Sequence, residues 1–441
     1  MDNKNRELKR TIGFFPALAT VMGTVIGAGV FFKAASVAAV TGTFSLHMLA
    51  WFLGGVISLC AGLTGAELAA AIPETGGMLK HIEHTYGNTA AFLLGWAQSL
   101  IYFPATVAAL SIIFATQVAN LLGLSDKIII PVAILAVTSI LLVNLLGSKA
   151  GGIFQSVTLI CKLIPLFLIV VFGLLNKGDV AVRLIPISDP VKGGFLTALA
   201  AGLLATLFAY DGWVVVGNIA GEMKKPSKDL PKAISFGLFG IMIVYLFINF
   251  VYLKTLPMSE IAGNSNASMD VAVKIFGGMG GKLVTIGILL SVYGGINGYF
   301  MTGMRTPYAM ALENRLPFSK HLRKLSKTAV PYVSGIVELV IAVIMMTLGG
   351  FDTLTDMVMF VIWIFYTLLF VAVIILRKRE PELHRPYKVP LYPVVPIIAI
   401  LGGTFIVVMT IFTQTKLAMT GIILTVIGLP FYFYLKKKYK F

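Results

Sequence analysis

Apolar runs of about 20 residues, the length that crosses a bilayer as an α-helix, recur along nearly the whole chain. Short stretches rich in Gly, Pro, Lys and Arg separate them. We read twelve spans, near residues 12–38, 44–71, 87–121, 127–146, 152–175, 195–221, 231–255, 280–312, 331–349, 353–377, 394–413 and 416–435. Turn chemistry marks the breaks at Pro73-Glu74-Thr75-Gly76-Gly77, Gly147-Ser148-Lys149, Lys225-Pro226-Ser227 and Arg385-Pro386-Tyr387. The short alternating segments of a membrane β-barrel are absent. The pattern predicts an all-α, polytopic integral membrane protein, one domain over 1–441.

Two spans break the apolar pattern. The first holds Gly23-Thr24-Val25-Ile26-Gly27-Ala28-Gly29-Val30, with three glycines in seven residues. Each glycine costs a helix interior about 1 kcal/mol relative to Ala. Either the glycines admit a neighbouring helix, or the helix is interrupted and its backbone groups face a polar ligand at mid-membrane depth. The sixth span holds Thr206-Leu207-Phe208-Ala209-Tyr210-Asp211-Gly212-Trp213, with an acid and a glycine in mid-span. It lies five spans after the first, so the two run in opposite directions. Interrupted helices at matching positions of two oppositely inserted halves mark the binding site of a secondary transporter. The halves are 12–175 and 195–377, and 394–435 adds two accessory helices.

Composition and charge fit this picture. Of 441 residues 58% are hydrophobic and 12% charged, and the net charge is +16. The basic residues cluster at helix ends, so the positive-inside rule accounts for them and nucleic acid is not expected. Placing the N-terminus inside puts the Lys4–Arg10 head, Lys224–Lys232, Arg305–Lys327, Arg377–Lys388 and the Lys-rich tail on one side. Lys33 then falls in an outer segment, and both termini are expected in the cytoplasm of a cell membrane. The first helix is expected to remain uncleaved. Cys60 and Cys161 lie inside apolar runs, so neither a disulfide nor a thiolate metal site is expected.

The chemistry of the breaks follows from helix ends. The N-terminus of a second half-helix presents unpaired N–H groups and a positive dipole end, which is an anion site. The expected donors are the N–H groups of Ala28 and Gly29, with Gly27 allowing close approach. The carbonyls near Val25 suit a cation. Carbonyls of Phe208 and Asp211 could take an ammonium, so the pair of breaks suits a zwitterion such as an α-amino acid. Phe208 is the expected aromatic lid. Asp211, costly at bilayer depth, has three open roles: binding the amine, carrying a proton, or capping a half-helix at Gly212.

Lys162 is the cation that the reading places in a membrane interior. Its ammonium could stand where another transporter holds Na⁺, tying span 5 to the carbonyls of span 1 and to a hydroxyl of span 8, Ser291; Gly23, at the start of the glycine run, is grouped with Lys162, Ser291 and Phe208 as a gating or coupling position. The ammonium could also lose its proton during the cycle. Tyr245 is the preferred site residue among Gln98, Tyr102, Asn218, Tyr245 and Asn297. Glu67 reads as a packing or gating residue near the inner surface. Glu338 carries no strong reading. His81, Glu83 and His84 look like a metal triad but fall in an inner loop, and no metal or other cofactor is expected. No HExxH or GxSxG motif occurs, which argues against an enzyme. No appended soluble domain suggests a receptor.

These residues resemble a known family. Gly23-x-x-x-Gly27-x-Gly29-Val30-Phe31, Ala66-Glu67-Leu68 leading to Pro73-x-x-Gly76-Gly77, and Phe208-Ala209-Tyr210-Asp211-Gly212-Trp213 with Glu222-Met223-Lys224-x-Pro226 carry the resemblance. The chain is similar to the amino acid–polyamine–organocation superfamily, within it to the L-amino acid transporter family and the bacterial serine/threonine and alanine-serine-cysteine exchangers. The resemblance implies twelve helices in a leucine-transporter-type five-plus-five inverted repeat, alternating access, and sodium-independent exchange of small neutral L-amino acids. It implies backbone substrate contacts at Val25, Ala28 and Gly29, an aromatic gate at Phe208, a carbonyl contact at Asp211, a near-gate position at Tyr245, and a sodium-replacing Lys162. The segment Leu122-Gly123-Leu124-Ser125-Asp126 lacks the cysteine by which animal relatives bond an ancillary glycoprotein, so no such partner is expected. Ala28 stands where relatives often have Ser, which removes a hydroxyl from the carboxylate site. The alternative activity is a proton-coupled neutral amino acid symporter using Lys162 or Asp211.

Overall fold

Glycines and prolines set the helix ends in the chain's computed structural model. It describes residues 13–439 except 75, 182, 184, 186, 188–193 and 215–222, and leaves out the side chains at 148–156, 159, 160 and 227. The first span is two helices, α1 (Phe14–Val25) and α2 (Gly29–Thr41), bent by 41° at the break. Gly42 ends α2 with φ 65°, a left-handed conformation that only Gly takes without strain. Then come α3 (Phe44–Ala71), the short α4 (Met78–Tyr86), and α5 (Asn88–Ala97). A π-turn over Gln98–Tyr102 joins α5 to α6 (Phe103–Leu122). Next are α7 (Ile129–Leu145), α8 (Ser148–Leu175), α9 (Phe195–Ala209), α10 (Pro226–Thr255) and α11 (Met258–Ile261). The rest comprises α12 (Ala267–Gly303), α13 (Arg305–Leu312), α14 (Ser319–Leu322), α15 (Tyr332–Met345), α16 (Phe351–Arg379), α17 (Val394–Thr413), α18 (Thr415–Val426) and α19 (Gly428–Tyr439).

Among the described residues, eight helices are long and apolar enough to cross a membrane, nine when α1 and α2 count as one span. Shorter apolar helices, Cys161–Leu175 within α8, Phe195–Ala209 and Tyr332–Met345, occupy the positions read as spans 5, 6 and 9. One boundary differs substantially. Span 8 was expected from residue 280, yet α12 begins at Ala267. Gly277 interrupts its helical geometry (φ 73°, ψ 175°), and the glycines of 277–281 masked the helix before it.

Packing concentrates on the breaks. α3 lies against α9 and α10, α1 against α10, α2 against α9, and α12 against α6 and α8. Glycines make these approaches possible. A Cβ at Gly54 of α3 would overlap Thr206, one at Gly55 would meet Met242 at 2.5 Å, and one at Gly65 would meet Trp213 at 2.9 Å. These glycines of α3 seat the end of α9 and the residues just after it.

Candidate functional site: a cavity between a broken helix and a helix end

α1 stops because Ile26 turns extended (ψ 104°) after its N–H closes on Met22 O at 2.9 Å. α2 restarts with Ala28 as its cap, whose carbonyl accepts from the N–H groups of Phe31 and Phe32, both at 3.1 Å. Among the described residues nothing accepts from the N–H groups of Gly27, Ala28, Gly29 or Val30. The start of α2 thus presents donors without an acceptor among the described residues at the positive end of a helix dipole.

The glycines divide the work. A Cβ on Gly29 would lie 2.5 Å from Ala209 Cα, so Gly29 serves close packing of α2 on α9. A Cβ on Gly27 would meet only Val25 O, at 4.0 Å, so Gly27 keeps the break open. Close packing and interruption both hold, each at its own glycine.

The end of α9 meets the break of the first span directly, while the rest of the span read as 195–221 lies outside the described residues from 215 on. α9 ends at Ala209, and Gly212 takes φ 108° with the Thr24 carbonyl 3.0 Å from where a Cβ would sit. Thr24 Oγ1 donates to Gly212 O at 3.1 Å. Tyr245 Oη donates at 3.1 Å to both Val25 O and Ala209 O, and so ties the end of α1 to the end of α9.

A partly open cavity lies between the break in the first span and the end of α9. Val25, Gly27, Ala28, Gly29, Phe208, Gly23 and Lys162 all line it, as the sequence reading placed them. Lys162 is buried and donates its ammonium to Gly23 O, which braces α8 against α1.

Three expected site residues stand elsewhere. Tyr245 is fully buried behind the break and occupies the Val25 carbonyl that was read as a cation ligand. Asp211 is 3% exposed and stays out of the cavity wall; its carboxylate accepts from Tyr102 Oη at 2.5 Å and Tyr366 Oη at 2.9 Å. Its N–H donates to Phe208 O at 3.3 Å, which engages one lone pair of that expected ammonium acceptor. Ser291 is buried in α12, but among the described residues its hydroxyl has no partner. Lys162 does not bond it, because its side chain reaches toward α1.

Among the remaining charged and polar groups, Lys33 is a correction. Lys33, read as an outer-segment residue, is fully buried within α2, so Lys162 is not the sole buried cation of the spans. Glu67 accepts from Arg377 at 2.8 and 2.5 Å and from the Val389 N–H at 2.7 Å. His81, Glu83 and His84 bond Ile72 O, Lys80 with Arg315, and Glu380 respectively, so they do not converge on one point. Asn297 accepts from Asn144, away from the cavity. Asn218 and Glu222 lie outside the described residues.

The sequence reading missed the wall opposite the breaks. Phe103 and Leu110 of α6 and Gly295, Gly298, Tyr299 and Thr302 of α12 complete it. Its signal was the glycine series 287, 294, 295 and 298 in span 8. Gly287 and Gly294 press against α8: a Cβ on Gly287 would lie 3.2 Å from Pro165, and one on Gly294 would overlap Thr158. Gly295 and Gly298 instead leave room for the cavity.

A helical membrane bundle with its cavity at an interrupted span, lined by unpaired backbone donors, belongs to the transporter class. The family is shown by comparison: the amino acid permease model matches residues 12–431, and the chain belongs to that family. It is 40% identical over 440 residues to the serine/threonine exchanger SteT of Bacillus subtilis, covering 99% of both chains. It is 28% identical to the mouse Asc-type amino acid transporter 1 and to the human cystine/glutamate transporter. Each match covers 97% of this chain, and 81% and 85% of those proteins. The family's members are transporters, and the chain is not an enzyme.

Proposed function

We propose that the chain is a sodium-independent exchanger of small neutral L-amino acids, such as serine, threonine, alanine or cysteine, working by alternating access across a bacterial cell membrane. The observation that carries this reading is the row of N–H groups at the start of α2 that have no acceptor among the described residues, beside the cavity that Phe208 and Lys162 also line. The substrate carboxylate docks on the N–H groups of Ala28 and Gly29. The ammonium lies toward the C-terminal end of α9, where backbone carbonyls keep a second lone pair even when one is engaged. Phe208 closes over the bound molecule. The side chain faces Gly295, Gly298, Tyr299 and Thr302, a neutral wall that favours small uncharged groups. Lys162 holds the first half-helix at Gly23, so no sodium ion is needed there.

The likeness to a serine/threonine exchanger, 40% identical over the full chain, supports the same reading. Twelve spans, the inverted halves 12–175 and 195–377, cytoplasmic termini, function without a disulfide-linked ancillary subunit, and a lipid environment are parts of this proposal. The test is reconstitution in liposomes. Uptake of labelled serine or alanine should require internal amino acid and proceed without Na⁺. Equal uptake into empty vesicles would remove exchange, and absolute Na⁺ dependence would remove the lysine's role.

A further inference from the structure

Lys33 is a buried charge for which the transport reading has no use. It sits in α2 one turn beyond Gly29 and has no exposed surface. Its ammonium is 2.8 Å from Asp352 Oδ1 and 2.9 Å from Asp356 Oδ1, one turn apart at the start of α16. Ser36 Oγ donates to the same Asp352 oxygen at 2.5 Å. The ammonium also stands 5.7 Å from the Phe208 ring centroid and 5.2 Å from that of Phe351, within cation–π reach. The two rings meet edge to face, 5.8 Å apart.

Three elements therefore converge at one point on the α2 side of the cavity. α2 carries the backbone donors, α9 carries Phe208, and α16 carries the two acids. α2 and α9 are already joined at Gly29 and Ala209. What holds that pair to α16 here is the ion cluster and the two aromatic rings.

We infer that Lys33, Asp352 and Asp356 form an ionic latch that shuts the α2 side of the cavity and positions Phe208 over it. The inference rests on the reading of the chain as an alternating-access transporter. The latch is graded toward water: the side chain of Asp352 is 57% exposed, that of Asp356 17%, and that of Lys33 not at all. Separating a buried ammonium from both carboxylates in dry surroundings is prohibitive. The latch therefore opens only as water enters from the Asp352 side, so gate and latch move as one step. It gives two discrete states, closed and hydrated-open. Lys33 is a positioning residue; it acts on the substrate through Phe208 and α2.

The test uses the full chain in vesicles of known orientation. Ala28→Cys in a Cys60→Ala/Cys161→Ala background reports access to the cavity from the α2 side, read with a membrane-impermeant maleimide. The triple variant Lys33→Met/Asp352→Asn/Asp356→Asn removes the latch and leaves no unpaired charge. It should label about tenfold faster than its parent. Apparent affinity for labelled serine should tighten on the α2 side and weaken on the other, because a larger fraction of molecules stands open there. Lys33→Arg should stay at the parent's rate. If the triple variant does not accumulate, Lys33→Gln/Asp356→Asn, which leaves only the solvated Asp352, is read the same way. Parental labelling rates, or equal loss of affinity on both sides, in a variant of normal abundance would overturn the latch. Absence of amino acid exchange by the unsubstituted chain would overturn the transport reading, while the labelling comparison would still decide the latch.

Discussion

Lys162 donates to one backbone carbonyl, Gly23 O, across two helices 139 residues apart in the chain. An ammonium so placed organises the first half-helix, and its loss should act on turnover before stability. Lys162→Ala is expected to lower exchange at least about tenfold, roughly 1.4 kcal/mol of barrier, with near-normal abundance in the membrane; wild-type rates per molecule would return the lysine to a passive role. Phe208 lines the cavity and lies against Phe351. Phe208→Ala should weaken apparent substrate affinity or slow closure, measured by competition of unlabelled serine against labelled serine. Unchanged affinity and rate would leave only packing. Both residues were legible in the sequence, as a cation and an aromatic beside two interruptions. The environment of Asp211 was not: its partners, Tyr102 and Tyr366, lie 109 and 155 residues away, and no local pattern announces them.

The break between α1 and α2 depends on two glycines with separate duties. Gly29→Ala places a methyl 2.5 Å from the Ala209 backbone, and overpacking of that kind costs about 1–3 kcal/mol. Gly27→Ala meets nothing closer than 4.0 Å. Thermal denaturation in detergent should therefore separate them, with Gly29→Ala clearly less stable and Gly27→Ala near the parent but impaired in exchange. Equal stability would refute the division. α4, between the second and third spans, supplies a pH-dependent element. Burial pushes His81 down to about 4 from its ordinary 6.5, while its ring nitrogen keeps a hydrogen bond to Ile72 O. The depressed folded value means the unfolded chain takes the proton first as pH falls. Stability is therefore lost from about pH 6.5 downward, up to about 3 kcal/mol by pH 4. His81→Gln, which can keep a donor toward Ile72 O and gains no charge, should lose less stability between pH 7 and pH 5; an unchanged pH dependence would show that another group is responsible.

At the scale of the whole molecule, the exchange reading requires that closure on one side accompany opening on the other, and reconstituted vesicles loaded with serine, alanine or nothing measure it. The sequence by itself determined the membrane class, the helical architecture, the break of the first span and the place where α9 ends. Apolar run length, glycine density and buried charge are local quantities, and they act on the backbone wherever the chain later goes. Only the tertiary structure decided which groups meet. It hid Tyr245 behind the break, enclosed Asp211 with tyrosines, left Ser291 apart from Lys162, and brought Tyr299 and Thr302 to the cavity wall. It also buried Lys33, which the charge pattern had placed with the loops, against acids more than three hundred residues away. The physical reason is that a side chain's partner is set by helix rotation and packing distance. Those depend on how glycine faces such as that of α3 interlock, and a one-dimensional pattern of polar and apolar residues does not encode them.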